Sequence, residues 1–203
     1  MVLHRVFDEV FRTWSNIAVM RALLDTNTGF SGNEVARVSG MHPRSAFKAL
    51  TLLEELGIVK RQIGGRDHIF SLNREHFLFQ EAILKVFEAE NKFKEEIIKT
   101  LASILKKQVY SAVIFGSAAR KEEKPLSDLD VCCIVDNQFY GVQVKSLLDK
   151  KSQMLNKKFG VKVAPIIFLK TQFIRKRKSK LIKSIVDEGI LITGKSPKGL
   201  LNG

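Results

Sequence analysis

From Val6 to Leu24 the apolar residues Val6, Phe7, Val10, Phe11, Trp14, Ile17, Ala18 and Met20 recur mostly three or four positions apart. That is the period of an amphipathic helix, and one helix is predicted over the stretch. Asp25-Thr26-Asn27-Thr28-Gly29 interrupts it. Ser31-Gly32-Asn33-Glu34 then reads as a capping box, in which hydroxyl and carboxylate each satisfy a backbone N–H at a helix start. A short helix is expected from there to Gly40. Pro43 occupies a favoured first helical position, and Phe47, Leu50, Leu53 and Leu56 predict a second apolar stripe that stops at Gly57. Ile58 to Ile63 and His68 to Leu72 read as strands joined by Gly64-Gly65-Arg66-Asp67, whose glycines suit a hairpin. Glu75 to Gln108 contains no proline or glycine and carries Ile83, Val86, Phe87, Phe93, Ile97, Leu101 and Ile104 along one side. It predicts a connecting helical region, broken at most once, whose stripe is open either to the chain's own domains or to a second copy in a homodimer.

The pattern changes after Gln108. Val109 to Phe115 is apolar enough for a buried strand, and Gly116-Ser117-Ala118-Ala119-Arg120 opens directly behind it. A charged loop, Lys121 to Leu126, leads to Ser127-Asp128-Leu129-Asp130 and the apolar run Val131 to Val135. Val161 to Phe168 reads as a further strand, Thr171 to Val186 as one basic helix, and Asp187 to Gly194 as a turn and final short strand. Lys195 to Gly203 is expected to fray.

Composition narrows the class. With 203 residues, 45% hydrophobic and 27% charged, the chain is neither disordered nor a disulfide scaffold. No run approaches the ~18 apolar residues of a membrane span. The amino terminus carries acids and lacks an unbroken apolar segment, so no signal peptide is predicted and the protein is expected in the cytoplasm. Cys132 and Cys133 are adjacent in an apolar run, where a strand sends them to opposite faces; both are expected in the core.

The formal net charge is +13. Between Asp149 and Asp187 there are twelve basic residues and no acid, which leaves 22 basic against 21 acidic residues elsewhere. The cationic field thus belongs to one segment, read either as a solvated lysine-rich face or as a surface for nucleic acid or nucleotide phosphates.

The order helix, helix, turn, helix, hairpin in residues 31–72, SGNEVARVSGMHPRSAFKALTLLEELGIVKRQIGGRDHIFSL, resembles a winged helix-turn-helix. In that family the second helix of the turn motif enters the DNA major groove and the wing touches backbone or minor groove. The resemblance implies DNA contacts from His42, Arg44, Ser45 and Lys48 on the recognition helix, and from Lys60, Arg61 and Arg66 around the wing.

Asp128 and Asp130 lie two apart at a strand entry, so their carboxylates share a face. Acids so placed repel unless a cation lies between them, and hard oxygen ligands suit Mg²⁺. The upstream glycine lets the backbone approach a phosphate, while the Ser117 hydroxyl and free N–H groups at the start of the next helix form an anion cradle. These parts predict a triphosphate–metal site. The string GSAARKEEKPLSDLDV closely resembles the signature of the DNA polymerase β-like nucleotidyltransferase superfamily: Gly-Ser after a strand, an arginine three residues past the serine, and Ser-Asp-x-Asp entering the next strand. Size and the fused winged helix resemble the minimal nucleotidyltransferases of prokaryotes.

The resemblance implies an α/β (α+β) protein: a winged helix-turn-helix domain (1–74), a helical linker (75–108) and a nucleotidyltransferase domain (109–203) around a short mixed sheet. It implies NTP as ligand, with Gly116, Ser117, Arg120 and Ser127 at the nucleotide, and Asp128 and Asp130 as catalytic ligands of two Mg²⁺ ions. Arg120 has a second reading, as a brace of its own loop. Active members of the family usually bring a third carboxylate from a later strand, and here Ala164 stands where it aligns, with Lys162 two residues before it. Either Asp136, Asp149 or a substrate group completes the site, or nucleotide binding persists without efficient catalysis. The corresponding functions are transfer of a nucleoside monophosphate to a hydroxyl acceptor, or regulation by a DNA-binding protein that senses nucleotide. The acceptor (protein, nucleic acid or small molecule) is not fixed by the fold.

Overall fold

The structure, a computed structural model, describes residues 3–64 and 67–201. The chain divides into two compact units, residues 1–91 and 92–203.

The first unit contains α1 (Val6–Val10), α2 (Trp14–Leu24), β1 (Phe30–Ser31), α3 (Gly32–Val38), α4 (Pro43–Glu55), β2 (Val59–Gly64) and β3 (Asp67–Leu72). The single helix expected over 6–24 is two helices. Asn16 is buried, and its side-chain amide donates to the carbonyls of Glu9 (3.0 Å) and Val10 (3.2 Å), closing α1. Thr13 Oγ1 accepts from Asn16 N (3.3 Å) and opens α2. These local bonds outcompete a continuous helix although the apolar period runs through. The Ser31–Glu34 capping box is formed in both directions. Pro43 is the first residue of α4, whose Ala46, Ala49, Leu50 and Leu53 are buried. β1 pairs antiparallel with β3 (Phe30 opposite Phe70), giving a three-stranded sheet in the order β1-β3-β2. Helix, short strand, two helices and a hairpin on one sheet make this unit a winged helix-turn-helix.

The expected linker is not a separate element. A π-helical turn (Phe79–Ile83) runs into α5 (Leu84–Leu105). Phe79, Ile83 and Phe87 are buried in the first core, and Ile97, Leu101 and Leu105 in the second. The stripe considered for a homodimer is therefore largely used by the chain's own cores.

The second unit comprises residues 92–105 of α5, β4 (Ser111–Ile114), α6 (Ser117–Arg120), β5 (Leu129–Val135), α7 (Gln138–Phe159), β6 (Val163–Leu169), α8 (Lys170–Arg175), α9 (Lys180–Asp187), β7 (Ile190–Gly194) and α10 (Pro197–Leu201). Its sheet runs β6-β5-β4-β7, with β5 and β6 parallel and the other pairs antiparallel, so it is mixed. Pro165 fits because β6 is an edge strand, where a missing N–H costs no ladder bond. The sheet is the middle of three layers. Ala112, Ile114, Val131 and Cys133 face α5 and α7, whereas Val113, Cys132 and Ile134 face Phe173, Ile182 and Ile185 of α8 and α9. The adjacent cysteines thus enter opposite cores.

The basic helix expected over 171–186 is also interrupted, at Lys176–Ser179, where Ser179 Oγ accepts from Ile182 N (3.3 Å) and starts α9. Residues 197–201, expected to fray, form α10, because Leu200 and Leu201 pack against the core on that face. Among the described residues no helix is long and apolar enough to cross a membrane.

Candidate active site

The ends of β4 and β5 meet where the chain leaves one strand and enters the other. Phe115 N donates to Asp130 O (3.0 Å), which sets Gly116 directly against Asp130. Gly116 has φ 75° and ψ −148°, a conformation open essentially to glycine. A Cβ there would lie 3.2 Å from Asp130 Cγ and closer still to Oδ2. The glycine is therefore required twice, by its backbone angles and by the carboxylate lying over it. Ser117 begins α6, which is a single turn ending at Arg120. The cradle of the sequence reading is correspondingly short: one turn of N–H groups and one hydroxyl, without a long helix behind them.

Asp128 and Asp130 flank Leu129, whose side chain packs toward the α5–α7 core. Alternation along β5 puts the half-buried Asp130 on the opposite face, and Asp128, just ahead of the strand, is exposed. Ser127 closes the loop before them: its Oγ accepts from Lys124 N (3.1 Å) and its N donates to Lys124 O (3.0 Å). Arg120 is braced on both sides. Its Nε donates to Glu122 Oε2 (2.8 Å) and its NH1 lies 3.5 Å from Glu188 Oε2. Glu122, followed by Glu188, holds the guanidinium above its ordinary range. This arrangement is that of the loop brace in the sequence reading. Glu188, 68 positions away, had no local signal to announce it.

The neighbouring strand decides the third carboxylate. In the parallel register of β5 and β6, Asp130 is opposite Ala164, and Leu129 N donates to Lys162 O (2.8 Å). Lys162 Nζ is 3.5 Å from Asp128 Oδ1. Neither expected substitute reaches this point. Asp136 follows the far end of β5, six residues or about 20 Å from Asp130, where it pairs with Lys170. Asp149 is exposed mid-way along α7, about 16 Å along the helix axis from Gly160. Among the described residues no group of three or more His, Cys, Asp or Glu could hold a metal ion. The structure thus brings Asp128 and Asp130 to this point with no third acid beside them among the described residues.

A cavity of about 230 Å³ opens beside Asp128, walled by Phe93 and Ile97 of α5, Ala118, Leu129 and Val161. The sequence did not announce it, since these walls come from four separate segments. The residues implied for DNA contact are distributed differently. His42, Arg44, Ser45 and Lys48 are all exposed. His42 is the N-cap of α4, its Nδ1 accepting from Arg44 N (3.2 Å), a role the sequence reading did not give it. Lys60 pairs with Glu75 (3.0 Å) and Arg61 with Glu54 (2.9 Å), so two of the three implied wing cations are already engaged in ion pairs. Arg66 lies outside the described residues.

Residues 94–192 match the family model described as a nucleotidyltransferase domain. Among solved structures, the chain is similar to one titled as a toxin-antitoxin with AMP-PNP, at 15% identity over 53% of this chain and 81% of that one, with a TM-score of 0.36. It is also similar to TrmBL2, described as an archaeal chromatin protein with a novel mode of DNA binding, at 22% identity over 89% of this chain and 72% of that one, with a TM-score of 0.29. No curated protein matches the chain. The strand, the Gly-Ser turn and the Asp-x-Asp strand all fall within the matched residues, and this part of the chain is a nucleotidyltransferase domain of the DNA polymerase β-like superfamily.

Proposed function

We propose that the protein is a Mg²⁺-dependent nucleotidyltransferase, transferring a nucleoside monophosphate from an NTP to a hydroxyl acceptor, and that its winged helix binds DNA. The observation that carries the reading is Asp130 at the start of β5, lying over a glycine that its backbone angles and this contact require, with Asp128 two residues before it, inside a segment matching the family. Ser117 and the backbone beside it would contact the triphosphate, and the two carboxylates would hold a divalent ion. When bound, such an ion neutralises charge on the triphosphate and on the departing pyrophosphate. In the transfer, the acceptor oxygen bonds to the α-phosphorus, the bond from that phosphorus to the bridging oxygen breaks, pyrophosphate leaves with the electron pair, and the hydroxyl proton passes to solvent. The cavity beside Asp128 gives room for substrate next to the reacting atoms.

DNA binding is supported by the exposed, acid-free start of α4, where neither Arg44 nor Lys48 has a salt-bridge partner among the described residues. The exposed run Arg175, Lys176, Arg177 and Lys178 offers further non-specific phosphate contacts. A second reading follows from Ala164 beside Asp130: a DNA-binding regulator that holds nucleotide without efficient turnover.

Incubation with α-³²P-NTP, Mg²⁺ and cell lysate separates them. Transfer of label to an acceptor by the wild type, lost in Asp128→Asn/Asp130→Asn, is expected. Bound nucleotide with no transfer under any condition would favour the regulator.

A further inference from the structure

Side chains two apart on a strand share a face, and registered partners on adjacent parallel strands share it too. Asp130 is registered opposite Ala164, and just ahead of the two strands the Lys162 ammonium stands 3.5 Å from Asp128, so the four residues form a two-by-two array with a methyl group opposite Asp130. No acid occurs from Lys150 to Val186, so the segment that carries Lys162 brings no acid of its own to this edge. An ammonium a few ångströms from a second divalent ion would oppose it with twice the force it exerts on a unit charge. The same ammonium would attract phosphate oxygens, for which lysine acts as a point charge. The array supplies one cation where a pair of acids would have recruited another.

We propose that this site takes a single divalent ion with its nucleotide, and that Lys162 furnishes the second positive charge. Its ammonium turns from Asp128 to the phosphate chain once the ion occupies the two carboxylates. Lys162 is free to do so, since its side chain is 78% exposed and holds Asp128 only as a surface ion pair. The inference rests on the nucleotidyltransferase reading and puts a side chain where the family resemblance implies a second ion.

The test counts ions rather than turnover. The full chain is titrated with Mn²⁺ and a non-hydrolysable α,β-methylene analogue of each of the four NTPs, and bound Mn²⁺ is counted by electron paramagnetic resonance. One Mn²⁺ per bound nucleotide is expected for the wild type. Lys162→Ala should weaken nucleotide binding about 10-fold, the loss of one charge-assisted contact, while Lys162→Arg retains most of it. Lys162→Ala/Ala164→Asp should take up a second Mn²⁺. Two Mn²⁺ on the wild-type complex, or unchanged affinity in Lys162→Ala, would overturn the inference and leave the nucleotidyltransferase reading standing. Failure of the wild type to bind any of the four analogues would overturn both.

Discussion

Replacing Gly116 with alanine separates two roles that the structure gives to one position. The first is conformational: φ 75° with ψ −148° costs a non-glycine residue about 1–3 kcal/mol, offset by about 0.4–1 kcal/mol because alanine also restricts the unfolded chain. A net loss of about 1–2 kcal/mol is therefore expected in the second unit. The second role is steric. The new Cβ would lie 3.2 Å from Asp130 Cγ and nearer to Oδ2, so the carboxylate must swing away from the phosphate turn. That removes one charged contact from the metal–nucleotide site, a loss of roughly 10- to 100-fold in affinity. Gly160→Ala is the control. Gly160 also has a positive φ, 67°, but nothing lies within 4 Å of its added Cβ, so after the same unfolded-chain offset it should lose about 1 kcal/mol of stability or less and no nucleotide affinity. Stability of the second unit can be read in urea from exposure of Cys132 and Cys133, since the one tryptophan, Trp14, is in the first. Mg·NTP affinity is read by calorimetry. If Gly116→Ala binds Mg·NTP within twofold of the wild type, the placement of Asp130 over the turn is not what makes the site.

Three further outcomes follow from other parts of the chain. Arg44→Ala/Lys48→Ala should weaken DNA binding and relax sequence preference more than Lys60→Ala/Arg61→Ala, whose cations are paired with Glu75 and Glu54; neutralising Arg175, Lys176, Arg177 and Lys178 should lower affinity on every sequence and flatten the salt slope by about one unit per lost contact, and mobility shifts equal across all three variants would refute both interfaces. Burial pushes both cysteine thiols up to about 12, so at pH 8 neither should react with a thiol reagent until the second unit unfolds; stoichiometric labelling of the folded protein would contradict the described cores. The Ser31 N–H and hydroxyl hold the Glu34 carboxyl below its ordinary range. A depressed carboxyl pKa contributes stability that is present above the ordinary glutamate range and is lost as pH falls through the folded-state value. The stability gap between wild type and Ser31→Ala should therefore shrink on acidification, and a gap constant from pH 7 to pH 3 would refute the linkage.

What was legible in the sequence was local. The capping box at Ser31 and Glu34, Pro43 at the start of α4, and the Gly-Ser and Asp-x-Asp spacing each act within a few residues, and each stands in the structure where the pattern put it. Departures arose where a short-range bond beat a periodic pattern, as when Asn16 closed α1 while Phe7 and Phe11 kept the helical period. The break before α9 hid in a run of lysines and arginines that suit a helix, with Ser179 its one cue. β1 has two residues and exists through its pairing with residues 38 and 40 positions away, which no window of the sequence contains. At the site, the sequence showed alanine at 164 in place of an acid, and a cation at Lys162. Only the β5–β6 register shows that Ala164 stands opposite Asp130, and only side-chain geometry that Lys162 reaches Asp128.

The central claim is that Asp128 and Asp130 bind nucleotide through a divalent ion. Titration calorimetry of the wild type and of Asp128→Asn/Asp130→Asn, each with NTP in Mg²⁺ and again in excess chelator, tests it most directly. Binding by the wild type that requires Mg²⁺, and no metal-dependent binding by a double variant that melts at or above the wild-type temperature once the acid pair no longer repels, is the predicted result. Equal Mg·NTP affinity in the two proteins would contradict it.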